Sequence, residues 1–341
     1  MGRSVWDLLS FVARRLVWLI PVMLGLITIT FFAGHISIRN PCSVWVGPHA
    51  SPDTVNNCIE YFGVNQPLWT QYTSYLGNLV QGNWGKDPSG GQPVLPVILL
   101  LFPQTMELLV VALVAIIVAG IPLGVIAANN NGRWPDHLVR VFYLGGWATP
   151  AYLAAIVLAI GVGPIFGLPN SGHFSRVPPP GWEITHVSML DAILHLDGNA
   201  LVDAIAHLIL PASALAFLNL GIATRMTRSS MLEVLPLDYV KTARMKGLSD
   251  FWVLYKHALR NSLISTVTVL GTTAGTLLSW IVVVESIFLW PGIGKYAFDS
   301  ILDYNFAGTL GVVVFFAIVV VIANLISDIF YGILDPRVEW R

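Results

Sequence analysis

The sequence predicts an all-α integral membrane protein with six transmembrane helices. Of its 341 residues, 55% are hydrophobic and only 11% are charged, and six stretches are apolar and long enough to cross a bilayer. A soluble domain usually carries about 25% charged residues, whereas a hydrocarbon layer about 30 Å thick needs about 20 helical residues. The composition therefore excludes a water-soluble globule.

The six predicted spans cover residues 16–36, 106–128, 138–162, 201–224, 262–284 and 309–330. Arg14 and Arg15 precede the first span, but its apolar run is too long for a signal peptide and no small-residue cleavage site occurs before Arg39. We expect a retained helix. The third and fourth spans contain Pro150 and Pro211, which kink a helix but are tolerated where neighbouring helices satisfy the freed carbonyl groups.

The basic residues indicate the orientation. With the N-terminus inside, the cytoplasmic set is Arg3, Arg14, Arg15, Arg133, Arg140, Arg225, Arg228, Lys241, Arg244, Lys246, Lys256, Arg260, Arg337 and Arg341. The outer set is Arg39, Lys86, Arg176 and Lys295. This positive-inside bias predicts that both termini lie in the cytoplasm, on a multi-pass protein of the cell (plasma or inner) membrane. A formal net charge of −1 argues against nucleic-acid binding.

The outer segments are predicted at 37–105, 163–200 and 285–308. The first is rich in aromatic residues, as expected for chain that lies at the membrane interface: Trp45, Tyr61, Trp69, Tyr72, Tyr75 and Trp84. Both cysteines of the chain, Cys42 and Cys58, fall in this segment. Because the outer side is oxidising, we predict that they form a disulfide bond.

Motifs for enzymatic chemistry are absent from the sequence. The string PGIGK at 291–295 lacks the spacing of a nucleotide-binding phosphate loop, and neither H-E-x-x-H nor G-x-S-x-G occurs. The eight histidines are scattered and only two cysteines are present, so we expect no metal site. Energy from ATP must therefore come from a partner.

Few ionisable groups fall within or next to the spans: Glu107, Asp203, His207, Glu285 and Asp328. All except His207 lie near predicted helix ends, where we expect capping and pairing with helix dipoles. For His207 we expect a structural role. An ion-coupled secondary transporter needs such groups near the midplane, so it is the less favoured alternative.

The fifth span carries hydroxyl groups along one face. The stripe consists of Ser265, Thr268, Thr272, Thr276 and Ser279. At about 100° per residue these positions lie within about 80° of one another. Two interpretations stay open: the hydroxyls bond back to their own helix in a packed interface, or they line a hydrated path for a polar solute.

The loop between the fourth and fifth spans predicts a short helix on the cytoplasmic surface. Asp238 is a plausible N-cap, Tyr239 and Ala243 share a face, and Gly247 can end the helix in a left-handed turn. A second short helix is expected from Ser249 or Asp250. A basic helix of this kind could simply lie on anionic lipid.

The residue types in this loop give a more specific answer. They read RSSMLEVL (228–235), DYV (238–240), TAR (242–244), KGL (246–248) and HALRN (257–261). Further strings are PVMLG (21–25), NQPL (65–68), GNL (77–79), GIPLG (120–124), ESIF (285–288), WPGIG (290–294) and LDPR (334–337). With these strings the chain resembles the permease subunits of binding-protein-dependent ABC importers, in particular the "B" type of the dipeptide, oligopeptide and nickel group.

The sequence also departs from this family. The wider family has Glu-Ala-Ala where this chain has Lys241, Thr242 and Ala243, and Ser265 replaces a common proline. The cysteine-containing outer loop and the prolines at 178–180 have no counterpart that we can align. These differences leave the substrate and the binding protein open.

The resemblance implies a type I importer permease without catalytic activity. It implies that residues near 238–247 form a coupling helix that contacts an ATPase through Asp238, Tyr239, Thr242, Ala243, Arg244, Lys246 and Gly247. The implied partners are a second, "C"-type permease, two cytoplasmic ABC ATPases that bind ATP and Mg, an extracytoplasmic substrate-binding protein and membrane lipid. The implied substrate is a di- or oligopeptide, with oligosaccharides or nickel complexes as alternatives.

The predicted organisation has three parts. Residues 1–105 hold the N-terminal end, the first span and the outer loop; residues 106–330 form the transporter core; residues 331–341 form a cytoplasmic tail. A membrane enzyme or a receptor-like protein is less favoured, since neither has a use for the coupling loop.

Overall fold

The computed structural model describes residues 5–37, 42–47, 50–87, 91–176, 178–179 and 181–334, and within these ranges the chain is almost entirely helical. The helices are α1 (Val5–Ser37), α2 (Cys42–Trp45), α3 (Pro52–Phe62), α4 (Leu68–Val80), α5 (Val94–Asn129), α6 (Trp134–Ala148), α7 (Ala151–Ile156), α8 (Gly163–Phe166), α9 (Ser188–Leu194), α10 (Gly198–Val234), α11 (Asp238–Met245), α12 (Asp250–Trp252), α13 (Leu259–Ile287), α14 (Ile293–Leu302) and α15 (Phe306–Leu334). π-helical turns join α7 to α8 (Val157–Val162) and α12 to α13 (Val253–Ala258). The predicted tail beyond Leu334 lies outside the described residues.

The long apolar helices agree with the predicted membrane class. Among the described residues, three helical stretches are long and apolar enough to cross a membrane alone: Val94–Asn129, Gly198–Val234 and Phe306–Leu325. Two bent helix pairs raise this number to five, and α1 adds the shorter apolar stretch Ile20–Gly34. The count of six spans therefore stays a prediction.

The second and third spans differ from the prediction. The outer segment was expected to run to Thr105, but α5 begins at Val94 and continues through Pro103. The third span was predicted as one helix over 138–162, whereas the chain breaks after Ala148 and the two halves make an angle of 109°. Thr149 is extended (ψ 127°), and Pro150 has no backbone N–H to continue the helix.

Helix α10 is the centre of the bundle and packs mainly against α5 and α13. Two glycines of the predicted GIPLG motif permit the close approach of α5. A Cβ atom added at Gly120 would lie 2.9 Å from the Cβ of Ala223, and one at Gly124 would lie 2.6 Å from the Cβ of Thr227. Small residues bring membrane helices close enough for extensive van der Waals contact. Unlike Pro150, Pro211 lies inside α10, which continues through it.

The N-terminal segment packs against α15 at what we call the disulfide end of the bundle. Cys42 and Cys58 are joined by a disulfide bond with an S–S distance of 2.06 Å, which links α2 to α3. The indole Nε1 of Trp45 donates to the backbone oxygen of Tyr304 at 2.9 Å. The first outer segment therefore folds into short helices that are tied to the rest of the bundle. The opposite end, which carries α11, is called the α11 end.

Candidate functional site

A short helix is present where the coupling helix was predicted, as α11. Leu237 is extended and precedes it, and Asp238 is its first helical residue. The expectation that Asp238 caps the helix is wrong: its side chain makes no capping hydrogen bond and instead accepts from Lys241 Nζ at 3.0 Å. The left-handed turn at Gly247 is confirmed by its φ of 76°. The Gly247 amide donates to the carbonyl of Arg244 at 2.9 Å, which closes the last turn.

One face of α11 is buried in a hydrophobic cluster. Val240 and Ala243 are 0% and 5% exposed, and they pack in the cluster with Met231 of α10 and with Val253 and Leu254 of the second short segment. This segment starts at Asp250, as predicted, and leads directly into α13. The cluster therefore joins α11 to α10 and, through this segment, to the start of α13.

The rest of α11 is exposed and carries more basic than acidic side chains. The exposed residues are Asp238, Tyr239, Lys241, Thr242, Arg244, Met245 and the C-cap residue Lys246. Met245 is 79% exposed, and the hydroxyl of Tyr239 accepts from Asn261 Nδ2 at 2.7 Å. This exposed surface is a short ridge with a net positive charge, in which Asp238 pairs with Lys241.

A buried ion cluster connects α6 to α10 near the α11 end of the bundle. The sequence analysis did not identify it. The carboxylate of Asp136 in α6 is completely buried and accepts from Arg228 Nε at 2.7 Å and from Arg228 Nη2 at 3.0 Å. Arg140 and the backbone amide of Gly132 donate to the same carboxylate. The spacing of Asp136 and Arg140 was a detectable local signal, but Arg228 lies 92 residues away in sequence. The cluster ties α10 to the turn between α5 and α6.

The polar stripe of α13 lies on a face that the described chain leaves open. Ser265, Thr276 and Ser279 are exposed, whereas the side chains of Thr268 and Thr272 lie outside the description. Thr276 Oγ1 donates to the carbonyl of Thr273 at 2.8 Å. The hydroxyl of Thr276 thus bonds to its own helix while its side chain is exposed. Both interpretations of the stripe remain compatible with this arrangement.

A different set of hydroxyls on α13 faces α10. Thr266 is fully buried, and its Oγ1 lies 3.1 Å from Oγ1 of Thr227. Ser262 and Thr273 are also buried and bond to carbonyl groups of their own helix. These residues, together with Thr276 of the stripe, whose hydroxyl donates to Asn219 Oδ1 at 3.5 Å, form the described polar contacts of α13 in this interface.

At the disulfide end, two buried carboxylates hold the N-termini of outer helices. Glu107 of α5 accepts from the amides of Ser188 and Met189, at 3.0 and 2.7 Å, at the start of α9. Glu285 of α13 accepts from Thr105 Oγ1 at 2.8 Å and from the amide of Lys295 at 3.0 Å, in the first turn of α14. Both residues therefore cap the first turns of neighbouring helices, but the expectation that Glu107 lies near the end of its own helix is wrong, since α5 begins at Val94.

The outer segment between α8 and α10 is also anchored. Asp203 accepts from the amide and the hydroxyl of Ser175, and His207 Nδ1 lies 2.9 Å from the carbonyl oxygen of Asp203, in agreement with a structural role for this histidine. His173 packs edge-on against Trp290 with ring centroids 6.2 Å apart. Burial lowers the pKa of His173, which favours its neutral form at neutral pH. In the described ranges, no group of three or more His, Cys, Asp or Glu side chains could hold a metal ion.

These features define a helical membrane protein in which a short surface helix is mechanically joined to two long helices. Residues 120–340 match the family described as "Binding-protein-dependent transport system inner membrane component", and residues 8–109 match the family of the N-terminal part of such components. The chain belongs to this family of transport-system membrane components.

Relatives align over nearly the whole chain. The "Probable D,D-dipeptide transport system permease protein DdpB" of Escherichia coli (strain K12) is 37% identical over 337 residues, 98% of each chain. The "Di/tripeptide transport system permease protein DppB" of Pseudomonas aeruginosa (strain UCBPP-PA14) is 38% identical, over 97% of this chain and 99% of that one. The "Oligopeptide transport system permease protein AppB" of Bacillus subtilis (strain 168) is 34% identical, over 97% and 99%.

A solved structure of the MetNI methionine ABC transporter in inward-facing conformations also aligns with this chain. The TM-score is 0.49 with 16% sequence identity, and the alignment covers 70% of this chain and 98% of that chain.

Proposed function

We propose that this chain is a permease subunit of an ATP-driven, binding-protein-dependent importer of di- or oligopeptides. The observation that carries the proposal is the near-complete alignment with peptide permeases at 34 to 38% identity. The relatives favour peptides over oligosaccharides or nickel complexes. The chain performs no covalent chemistry in this proposal; it forms half of a path through the membrane.

In the proposed complex the α11 end faces the cytoplasm, with both termini on that side. The exposed ridge of α11 docks into a groove on one of two ABC ATPases, which bind ATP and Mg. A second, homologous permease completes the path, and an extracytoplasmic binding protein delivers the cargo. The division into an N-terminal part (1–105), a core (106–330) and a cytoplasmic tail (331–341) belongs to the same proposal.

The contacts of α11 support a mechanical role. Closure of the ATPases moves α11, and its buried side chains Val240 and Ala243 push on the cluster shared by α10 and α13. Because a packed cluster moves as a unit, both long helices tilt together and the access changes from one side of the membrane to the other. The exposed hydroxyls of Ser265, Thr276 and Ser279 then face the cargo, with which they can exchange hydrogen bonds without trapping it.

ATP-driven transport of a dipeptide out of proteoliposomes tests this function. The chain is purified together with the second permease and both ATPases, reconstituted with the α11 end outward, and loaded with binding protein and a labelled dipeptide in the lumen. Because the binding-protein side is then luminal, ATP added outside should drive the dipeptide out of the lumen. Efflux without ATP, or by this chain alone, would refute the proposal; a complex with an ATPase inactivated in its phosphate loop serves as the control.

A further inference from the structure

Two arginines of α10, Arg225 and Arg228, differ in their contacts. The guanidinium carbon of Arg225 lies 5.5 Å from the ring centroid of Trp147 in α6, and both side chains are exposed, Trp147 to 62%. Arg228, one turn further on, is engaged with Asp136 and Asn131. Within the described part of the chain, by contrast, the guanidinium of Arg225 has no hydrogen-bonding or ionic partner.

Trp147 lies within the predicted third span, and Arg225 directly follows the predicted fourth span, 201–224. Trp147 follows Asp136 by 11 positions in the same helix, which corresponds to about 16 Å along the axis from the ion cluster. Long side chains on a helix point toward its N-terminus, so Trp147 leans toward the α11 end and Arg225 leans away from it. A charged side chain that leans toward a span is costly against lipid and normally faces a bundle interior or a water-filled cavity.

The arc of α10 around Arg225 is exposed between the lines along which α10 packs against α6 and α13, and we call this gap the cleft. Gly221 contacts Tyr143 of α6, and Asn219 contacts Thr276 of α13. At about 100° per residue, Arg225 and Ser229 fall between these two directions, and both are exposed. Since Thr276 belongs to the polar stripe of α13, the stripe and Arg225 border the same cleft.

The cleft is closed toward the disulfide end. Leu218 lies on the same arc of α10 nearly two turns before Arg225, and there it is buried against Ala151 and Ala154 of α7. The sharp turn at Pro150 is what places α7 across the cleft. We call the part of the cleft between Arg225 and the α11 end the vestibule; the guanidinium of Arg225, which has no hydrogen-bonding or ionic partner among the described residues, lies in it.

From this geometry, and resting on the proposed function, we propose that Arg225, supported by Trp147, binds the C-terminal carboxylate of the peptide cargo in this vestibule. Stacking on the indole leaves the planar fork of the guanidinium available for two parallel hydrogen bonds to a carboxylate. A free carboxylate is the group that all unmodified peptides share, whatever their side chains. Water reaches the site from the α11 end, which screens the attraction and permits release.

Thiol labelling tests the location of the site. Cys42 and Cys58 are bonded to each other, so this chain offers no native free thiol. In a complex with cysteine-free partners and without nucleotide, a membrane-impermeant methanethiosulfonate added at the α11 end should modify Arg225→Cys. Thr227→Cys, two positions away but fully buried, is the matched control and should stay unmodified. An unreactive cysteine at 225 would overturn the proposal.

A second labelling experiment tests the ligand. With Arg225 intact, the modification rate of Ser229→Cys should fall when excess dipeptide is added, and fall less with the same dipeptide carrying a C-terminal amide. The additional change Arg225→Gln should remove this difference, and Arg225→Lys should restore part of it. Equal protection by acid and amide in the presence of Arg225 would overturn the assignment.

Transport separates this proposal from the function on which it rests. Because a charge-assisted hydrogen-bonded contact is lost, Arg225→Gln should lower ATP-driven peptide transport at limiting peptide by about tenfold or more, with complex assembly and ATPase activity unchanged. Normal transport by Arg225→Gln, or equal loss of assembly, would refute the role of Arg225 while leaving the proposed function intact. Absence of ATP-driven transport in the wild type would refute the function itself.

Discussion

Replacement of Asp136 by Asn tests whether the buried ion cluster holds the α11 end together. The carboxylate is 0% exposed, and Arg228, with 17% of its side chain exposed, donates to both of its oxygens. Removing one member of a buried ion pair costs about 3–5 kcal/mol, since the other charge is left without compensation. Asn131 still accepts from Arg228, so we expect a loss at the lower limit, about 3 kcal/mol in the free energy of unfolding.

Arg140→Gln is the matched control for this variant. Arg140 contacts the same carboxylate, but its side chain is 37% exposed and four residues away on the same helix. Exposed pairs with this spacing contribute only about 0.3–0.5 kcal/mol. The two variants remove contacts to the same carboxylate, and the expected loss of unfolding free energy is about six to ten times larger for Asp136→Asn than for Arg140→Gln.

The measurement is denaturant unfolding of the purified chain in detergent micelles, followed by tryptophan fluorescence, with hydrogen exchange of α10 and α11 as a local readout. Asp136→Asn should lower the unfolding free energy and accelerate exchange at the α11 end of α10. The reasoning is refuted if Arg140→Gln destabilises the chain as much as Asp136→Asn, or if Asp136→Asn costs less than about 1 kcal/mol.

Four further predictions concern single positions. Ala243→Trp overfills the cluster beneath α11, so peptide transport should be abolished while membrane insertion, followed by fractionation, stays normal; transport at the wild-type rate would contradict the docking role. Gly247→Ala places a Cβ in a left-handed turn at a cost of about 1–2 kcal/mol and should slow transport, whereas Gly247→Asn, which tolerates this turn, should be milder. Glu285→Gln weakens the cap of α14 and should accelerate hydrogen exchange of its first-turn amides; unchanged exchange would show that the cap is dispensable. Cys42→Ser opens the loop to Cys58 and should cost about 3 kcal/mol of thermal stability, an effect that reductant reproduces in the wild type and does not increase in the variant.

Local patterns predicted those features that depend on neighbours in sequence. The apolar runs indicated α5, α10 and α15 because a bilayer imposes a minimum length on any spanning helix. The loop before the fifth span contained its own stop signal, Gly247, and its own start, Asp250, so α11 and α12 were found nearly at their observed bounds. Asp238 was misassigned because a residue suited to capping is equally suited to the first turn, where its charge also favours the helix dipole.

The sequence pattern gave a wrong prediction at Pro150, because a proline can either be accommodated inside a helix or end it. Pro103 and Pro211 are accommodated inside α5 and α10, whereas Pro150 ends α6 and turns the chain through 109°. The sequence analysis expected a kink within a span at both Pro150 and Pro211, and it placed Pro103 outside the second span. The difference is the packing of α7 across α10, which stabilises the broken geometry at Pro150 and has no local signature.

The amino-acid sequence by itself determined the membrane class of this protein, the surface helix near residues 238–247 and the family resemblance, because hydropathy and helix signals act over a few turns of chain. Only the tertiary structure decided which distant groups meet. Asp136 meets Arg228 across 92 positions, and Thr105 meets Glu285 across 180. Such pairs form because neighbouring helices pack at a particular register and a buried charge must find its partner there, and no periodicity along a single helix encodes that register.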